Sequence, residues 1–389
     1  MLASAVLGWA SVTGVKVPLY DVHRELGASL GEFAGWLVPI DYGSIVEEHV
    51  AVRKTVGFFD LSHMARIIVS GPDAGKLLDK LVPRYLESEP GTMLGPTAFL
   101  NENAGFVDDV MLYNLGGNQW MIVANAVNRE KVLGWLNDWL SRLGFTASVE
   151  DKTLELAMFA VQGPKAAELM ERLGAPREVL ELKLLRFRLN VELSEAKARA
   201  FLVSRSGWTG EDGFEIIAPV GEAEKILRKA AEIVRELGGR LCGLGARDSL
   251  RMEMGFVLYG HEIDEETTPV DARYWWVYQP GPKEDCVGCK ALREALRRGA
   301  VKVRVGIRLS KKARIVPRQG DKIYVEGVEV GHVTSGAYSP VLGRSIAQAY
   351  IKPSHALMGL TVEVERRGKR YQGKIVDFPL VKPTSSPPL

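Results

Sequence analysis

RIIVSGPDAGKLLDKL (residues 66–81) and MFAVQGPKAAELMERL (158–173) are two copies of one pattern. Each reads as an apolar strand, a Gly-Pro turn and an amphipathic helix. Pro72 and Pro164 stand where a first-turn proline is tolerated. Farther along, QWMIVANAVNREKVL (119–133) matches GFEIIAPVGEAEKIL (213–227) at nearly the same offset, again a strand leading into a helix. Two matches in register imply a duplicated β-α-β-β-α unit, running from about 62 to 153 and from about 154 to 255. In each copy a hairpin joins the strands between the helices. FVDDVMLY turns through Asn114 to Gly117 into QWMIVAN, and ARAFLVS turns through SGWTGEDG into FEII. Such units build antiparallel sheets with helices on one face, so the expected class is α+β rather than doubly wound. A pseudo-symmetric pair of them encloses a central cavity.

Outside the repeats the texture changes. From residue 301 onward the chain has short β-rich runs with turn signals (VKVRVGIRL, DKIYVEGVEVGHVTSG, SIAQAYI, LTVEVERRGKRYQGKIV), which predicts a C-terminal β-barrel over 301–389. The last residues, TSSPPL, are expected to fray. The start, MLASAVLGWASVTG, lacks a basic flank and is too short and too broken by Gly and Ser to span a bilayer. Residues 1–16 therefore read as a lead-in, and 17–300 as one region of two intertwined halves. With 389 residues, 46% hydrophobic and 25% charged, the chain can build proper cores. A net charge of +2 without runs of like charge points away from nucleic acid and membrane surfaces and toward a small molecule or a protein as partner. The expected location is the cytoplasm.

Several chemical motifs fail. GPDAGK is one residue short between its glycines for a phosphate loop and lacks the following Ser or Thr. There is no H-E-x-x-H, no G-x-S-x-G and no cluster of histidines, so no metal is expected. Cys286 and Cys289 form a C-x-x-C that reads as a zinc half-site, a redox pair or neither; a structural zinc lacks its second pair of ligands and a local disulfide fits slightly better than zinc, but the sequence leaves the oxidation state open. A lone histidine such as His49, His63 or His261 is more often a satisfied structural residue than a ligand.

Three places carry polar groups that need a reason. Asp108 and Asp109 are adjacent in an apolar strand, so they point to opposite faces and at most one enters a cavity; alternatively both sit solvated at the hairpin rim. Glu215 stands between Phe214 and Ile216 on the face of Ile217, where a buried carboxylate suits a heterocycle with paired N–H groups, or a surface strand of mixed polarity. LCGLGARDSLRMEMG predicts a helix stopped by Gly255 with Arg247 and Arg251 one turn apart, able to hold a carboxylate or phosphate or simply part of a surface network.

Taken together, GEFAGWLVPIDYGSIVEEHVAVRKTVGFFDLSHM (31–64), NENAGFVDDVMLY (101–113), SRSGWTGEDGFEI (204–216), GLGARDSLRMEMGFVLYGHEID with TTPV (243–270) and GHVTSGAYSP (331–340) resemble successive signatures of the glycine cleavage T-proteins. The resemblance runs in the family's order from about residue 17 to about 350. It implies two pseudo-symmetric folate-binding domains and a C-terminal barrel around a central channel. It also implies an aminomethyltransferase: the aminomethyl group on the lipoyl arm of an H-protein is passed as a one-carbon unit to tetrahydrofolate, giving 5,10-methylenetetrahydrofolate and ammonia. Carried over by position, Asp109 matches the catalytic aspartate, Glu215 the residue gripping the pterin edge, Arg247 an arginine of the folate site and Met64 an apolar contact. Trp208 and Asn125 are counted with the same cofactor-binding set. Trp208 stands where the family often has tyrosine, Pro96 where many members place a tyrosine, and the Cys286–Cys289 stretch usually carries an aromatic and a basic residue. Two rival readings share the fold: a folate-dependent demethylase and a folate-binding module without transferase activity. The second usually has a cysteine motif not found in this sequence, and Asp109 speaks against it.

Overall fold

The computed structural model describes residues 14–279 and 281–388, so most of the lead-in, residues 1–13, lies outside them. Six short elements come first: β1 (Val15–Lys16), α1 (Tyr20–Glu25), β2 (Ser29–Phe33), β3 (Trp36–Asp41), α2 (Ile45–Lys54) and β4 (Gly57–Asp60). The first repeat is β5 (Ala65–Ser70), α3 (Ala74–Leu81), β6 (Met93–Leu100), β7 (Phe106–Gly116), β8 (Gln119–Ala124), α4 (Arg129–Leu143) and β9 (Ser148–Asp151). The second is β10 (Leu156–Gln162), α5 (Ala166–Arg172), α6 (Arg177–Leu180), β11 (Phe187–Leu193), β12 (Ala198–Ser204), β13 (Gly213–Pro219), α7 (Val220–Glu236) and β14 (Arg240–Cys242). Then α8 (Leu244–Met254) and α9 (Cys289–Arg298) precede β15 (Val303–Leu309), β16 (Lys322–Val325), β17 (Val328–Ser339), β18 (Arg344–Ile351), β19 (Thr361–Arg366) and β20 (Lys369–Val376).

The first repeat forms the sheet β6-β7-β8-β5-β9 and the second the sheet β11-β12-β13-β10-β4-β14. Each unit thus carries one strand more between its helices than the sequence pattern marked, β6 and β11. Both lie at sheet edges, which explains why they were hard to read. Edge strands tolerate the Pro96 interruption in β6, and in β11 they leave Arg188, Asn190 and Glu192 exposed. The Gly-Pro turns recur at Gly71 (φ +126°) and Gly163 (φ +131°), with the helices starting two residues past the prolines. Both turns need glycine. A Cβ on Gly163 would lie 2.6 Å from the carbonyl oxygens of Thr55 and Val52, and one on Gly71 would lie 2.9 Å from the Ala147 Cα.

Alternation divides each sheet into two faces. The outer face of the first sheet (Ile67, Val69, Leu112) packs on Leu77, Leu81, Val132 and Leu136 of α3 and α4. That of the second (Phe159, Phe214, Ile216) packs on Leu169, Ile226 and Ile233 of α5 and α7. The inner faces meet each other, with Tyr113, Met121 and Val123 against Met158, Ala160, Leu202 and Ile217. Strand β4, which precedes the first repeat, pairs with β10 of the second, so the halves are interwoven. Strands β15-β18-β17-β16-β19-β20 close the C-terminal barrel around Val305, Ile307, Val333 and Ile375.

The C-terminal tail is anchored, contrary to the expectation of fraying. Glu211 accepts the backbone N–H groups of Thr384 (3.1 Å) and Ser385 (2.7 Å), and Ser385 Oγ accepts from Asp212 N (3.0 Å). The acidic pair of SGWTGEDG supplies these partners, and a tail's own composition does not reveal a distant acceptor. The same Glu211 receives Arg53 Nη1 (2.9 Å), while Arg53 Nε donates to Glu253 (3.0 Å). Glu253 also accepts from Ser339 of the barrel. Arg53 thereby ties α2, α8, the loop before β13 and, through Glu253, the barrel. Arg53→Met leaves two buried carboxylates without their cation and is expected to lower stability by about 3–5 kcal/mol. Guanidinium denaturation tests this, and a loss under about 1 kcal/mol would show that the network carries little.

Candidate active site

A cavity of about 840 Å³ opens between the two sheets, α8 and the barrel. On β7 the pleat aims Asp109, Met111 and Tyr113 at it. Asp108 falls on the opposite face, fully buried, where it accepts from Asn125 N (2.9 Å), Asn125 Nδ2 (2.8 Å) and Asn128 Nδ2 (2.6 Å). The solvated-rim alternative for this pair is therefore excluded. Asn125 closes β8 and reaches both carboxylates, since its Nδ2 also donates to Asp109 Oδ1 (2.7 Å). Burial raises the Asp109 carboxyl above the usual range. It raises Asp108 as well, and the charge on the neighbouring carboxylate adds to the effect of burial.

The second wall belongs to the other repeat. Glu215 of β13 is 6% exposed and accepts from Ser206 Oγ at 2.5 Å, and burial raises its carboxyl against the pull of Ser206 and Arg247. The surface-strand reading of Glu215 is thus excluded. Arg247 lines the cavity from α8, and burial brings its guanidinium down to about 10, so it stays cationic at neutral pH. Its Nη1 is enclosed without a hydrogen-bond partner among the described residues. Arg251, one turn on, is not free: it binds Glu262 (2.7 Å), Asp248 (2.8 Å) and Ser335 (3.0 Å). Met64, Asn125 and Trp208 also line the cavity, Trp208 tilted 32° against Phe256 with ring centres 4.6 Å apart.

Sequence reading passed over Tyr113 and Ser206, and took His63 for a satisfied structural histidine, whereas the structure leaves its Nδ1 without a partner among the described residues. Tyr113 could have been found by counting two and four residues on from Asp109 along the strand face. Ser206 becomes relevant only once the hairpin folds it onto Glu215. Pro96, noted as a departure, lines the same cavity. Cys286 and Cys289 are joined as a disulfide. Among the described residues no helix is long and apolar enough to cross a membrane, and no group of three or more metal-ligating side chains occurs.

Comparison with known proteins agrees with this architecture along its length. Residues 19–280 match the family described as GCVT N-terminal domain, and residues 302–382 match the glycine cleavage T-protein C-terminal barrel domain. The chain belongs to the glycine cleavage T-protein family. A probable aminomethyltransferase of Aeropyrum pernix is 46% identical over 93% of this chain and 96% of its own length. An aminomethyltransferase of Herpetosiphon aurantiacus is 38% identical over 94% and 98%. The crystal structure of glycine cleavage system aminomethyltransferase T from Bartonella henselae superposes with a TM-score of 0.84 at 33% identity, covering 95% of this chain and 98% of that one. As a T-protein family member the chain is an enzyme of the tetrahydrofolate-dependent aminomethyltransferase class, and these relatives do not favour the demethylase or non-catalytic readings.

The Asn125 bond favours the ionised form of Asp109, so removing it raises that carboxyl further. In Asn125→Ala the acidic limb of turnover against pH is expected to move to higher pH by about one unit, the effect of one charge-assisted hydrogen bond. A limb that stays in place would separate Asn125 from the ionisation that governs the reaction.

Proposed function

We propose that the enzyme takes an aminomethyl group from the lipoyl arm of an H-protein, releases ammonia and delivers the methylene carbon to tetrahydrofolate as 5,10-methylenetetrahydrofolate. The observation that carries this reading is one cavity walled by a carboxylate from each half, Asp109 and Glu215, with an unpaired Arg247 beside the second. About 840 Å³ suits a folate-sized substrate with room for an arm. In bond terms, the C–N bond to the departing ammonia and the C–S bond to the lipoyl sulfur break. Two C–N bonds to the folate nitrogens form, and the two folate N–H protons end on ammonia and the thiol.

Each residue has a role on this reading. Asp109, the member of its pair that faces the cavity, orients the folate amine, takes up its proton and stabilises the cation that develops as ammonia leaves. Glu215 holds the paired N–H groups of the pterin edge through its two oxygens, positioned by Ser206. Arg247 supplies a cationic donor to the folate, Met64 and Trp208 give apolar and stacking surface, and Asn125 holds Asp109 in place. Residues 17–300 are then the substrate-binding region and 301–389 the barrel beside it. No metal takes part, the protein acts in the cytoplasm, and its partners are the carrier protein and folate rather than nucleic acid or membrane.

The decisive measurement is tetrahydrofolate-dependent ammonia release from H-protein loaded with the aminomethyl-lipoyl arm. Asp109→Asn is expected to lower turnover at least about 100-fold while folate affinity changes far less. If Asp108→Asn were the crippling change instead, the assignment of faces would fail. Glu215→Ala is expected to weaken tetrahydrofolate binding about tenfold or more, and an unchanged dissociation constant would remove its role.

A further inference from the structure

His63 follows β4 in the segment DLSHM and lines the central cavity while only 5% exposed. A histidine so buried normally satisfies both ring nitrogens. This one satisfies neither. Its Nδ1 is fully enclosed and unpartnered among the described residues, and Nε2 has no hydrogen bond there either, although it is not enclosed. The ring is held by an edge-on contact with Phe33, their centres 5.7 Å apart. A second orphan sits in the same wall, the enclosed Nη1 of Arg247, a donor where His63 Nδ1 can be an acceptor.

On the folate reading above, we propose that His63 is a substrate-contacting residue that presents Nε2 to the cavity and hydrogen-bonds the heterocycle of the substrate. Burial and then the positive charge of Arg247 hold the imidazole down to about 3, so the ring is neutral throughout the physiological range. A neutral imidazole carries a proton on one ring nitrogen and a lone pair on the other, so the tautomer protonated at Nε2 offers the cavity a donor without a charge. Such a donor can select a polar heterocycle, and in the free protein it stands unpaired at a cost that binding removes.

The test uses the full chain with His63→Leu and His63→Gln, since glutamine can place an amide near the Nε2 position. Tetrahydrofolate affinity is expected to fall about tenfold or more in His63→Leu and to stay within about threefold in His63→Gln. The ligand-free melting temperature of His63→Leu should not drop by more than about 2 °C, because leucine removes unpaired buried nitrogens. In ¹⁵N spectra the His63 Nε2 signal should show a neutral ring from pH 5 to 8 and shift when tetrahydrofolate is added. Unchanged affinity in His63→Leu, or a melting temperature that falls together with affinity in both variants, would overturn the proposal and leave the folate reading intact. Absence of tetrahydrofolate binding by the parent protein would overturn the folate reading, and this inference with it.

Discussion

The packing of two duplicated sheets by their inner faces is the constraint on which the rest depends. Tyr113, Met121 and Val123 meet Met158, Leu202 and Ile217 in one apolar layer, so whatever else projects from those faces is withdrawn from water. Asp109 and Glu215 project there, and His63 reaches the same cavity from the turn after β4. Withdrawing such groups from water is costly unless partners are provided, and the protein provides them unevenly. Asp108, behind the sheet, receives three N–H donors, and Arg251 is fully engaged by Glu262, Asp248 and Ser335. Arg247 and His63 are left wanting. That contrast between neighbours, one satisfied and one not, separates the groups engaged in the walls from those left open beside the cavity.

The same logic explains the division of labour in the Asp108–Asp109 pair. The pleat sends the two carboxylates to opposite faces, and Asn125 just past β8 bonds both. Each carboxylate's charge opposes ionisation of the other, so the pair titrates as a unit with one member facing the cavity. The two carboxylates differ in strand alternation and in which one reaches open space.

Much of this was legible beforehand, for local reasons. The Gly-Pro turns announce the duplication because Gly71 and Gly163 occupy a backbone region closed to other residues and have no room for a Cβ. The strand and helix on either side follow from periodicity. Strands β6 and β11 escaped because edge strands need neither regular alternation nor freedom from proline. The anchored tail escaped because its partner, Glu211, is remote in sequence.

The sequence by itself determined the α+β class, the repeat, the barrel, the family and the short list containing Asp109, Glu215 and Arg247, because strand period, helix period and turn chemistry act over a few residues. Only the tertiary structure decided which of those polar groups are satisfied. It joined Ser206 to Glu215, engaged Arg251 but not Arg247, and left His63 without a partner. Hydrogen-bond satisfaction depends on atoms brought together from distant parts of the chain, and no local pattern records it.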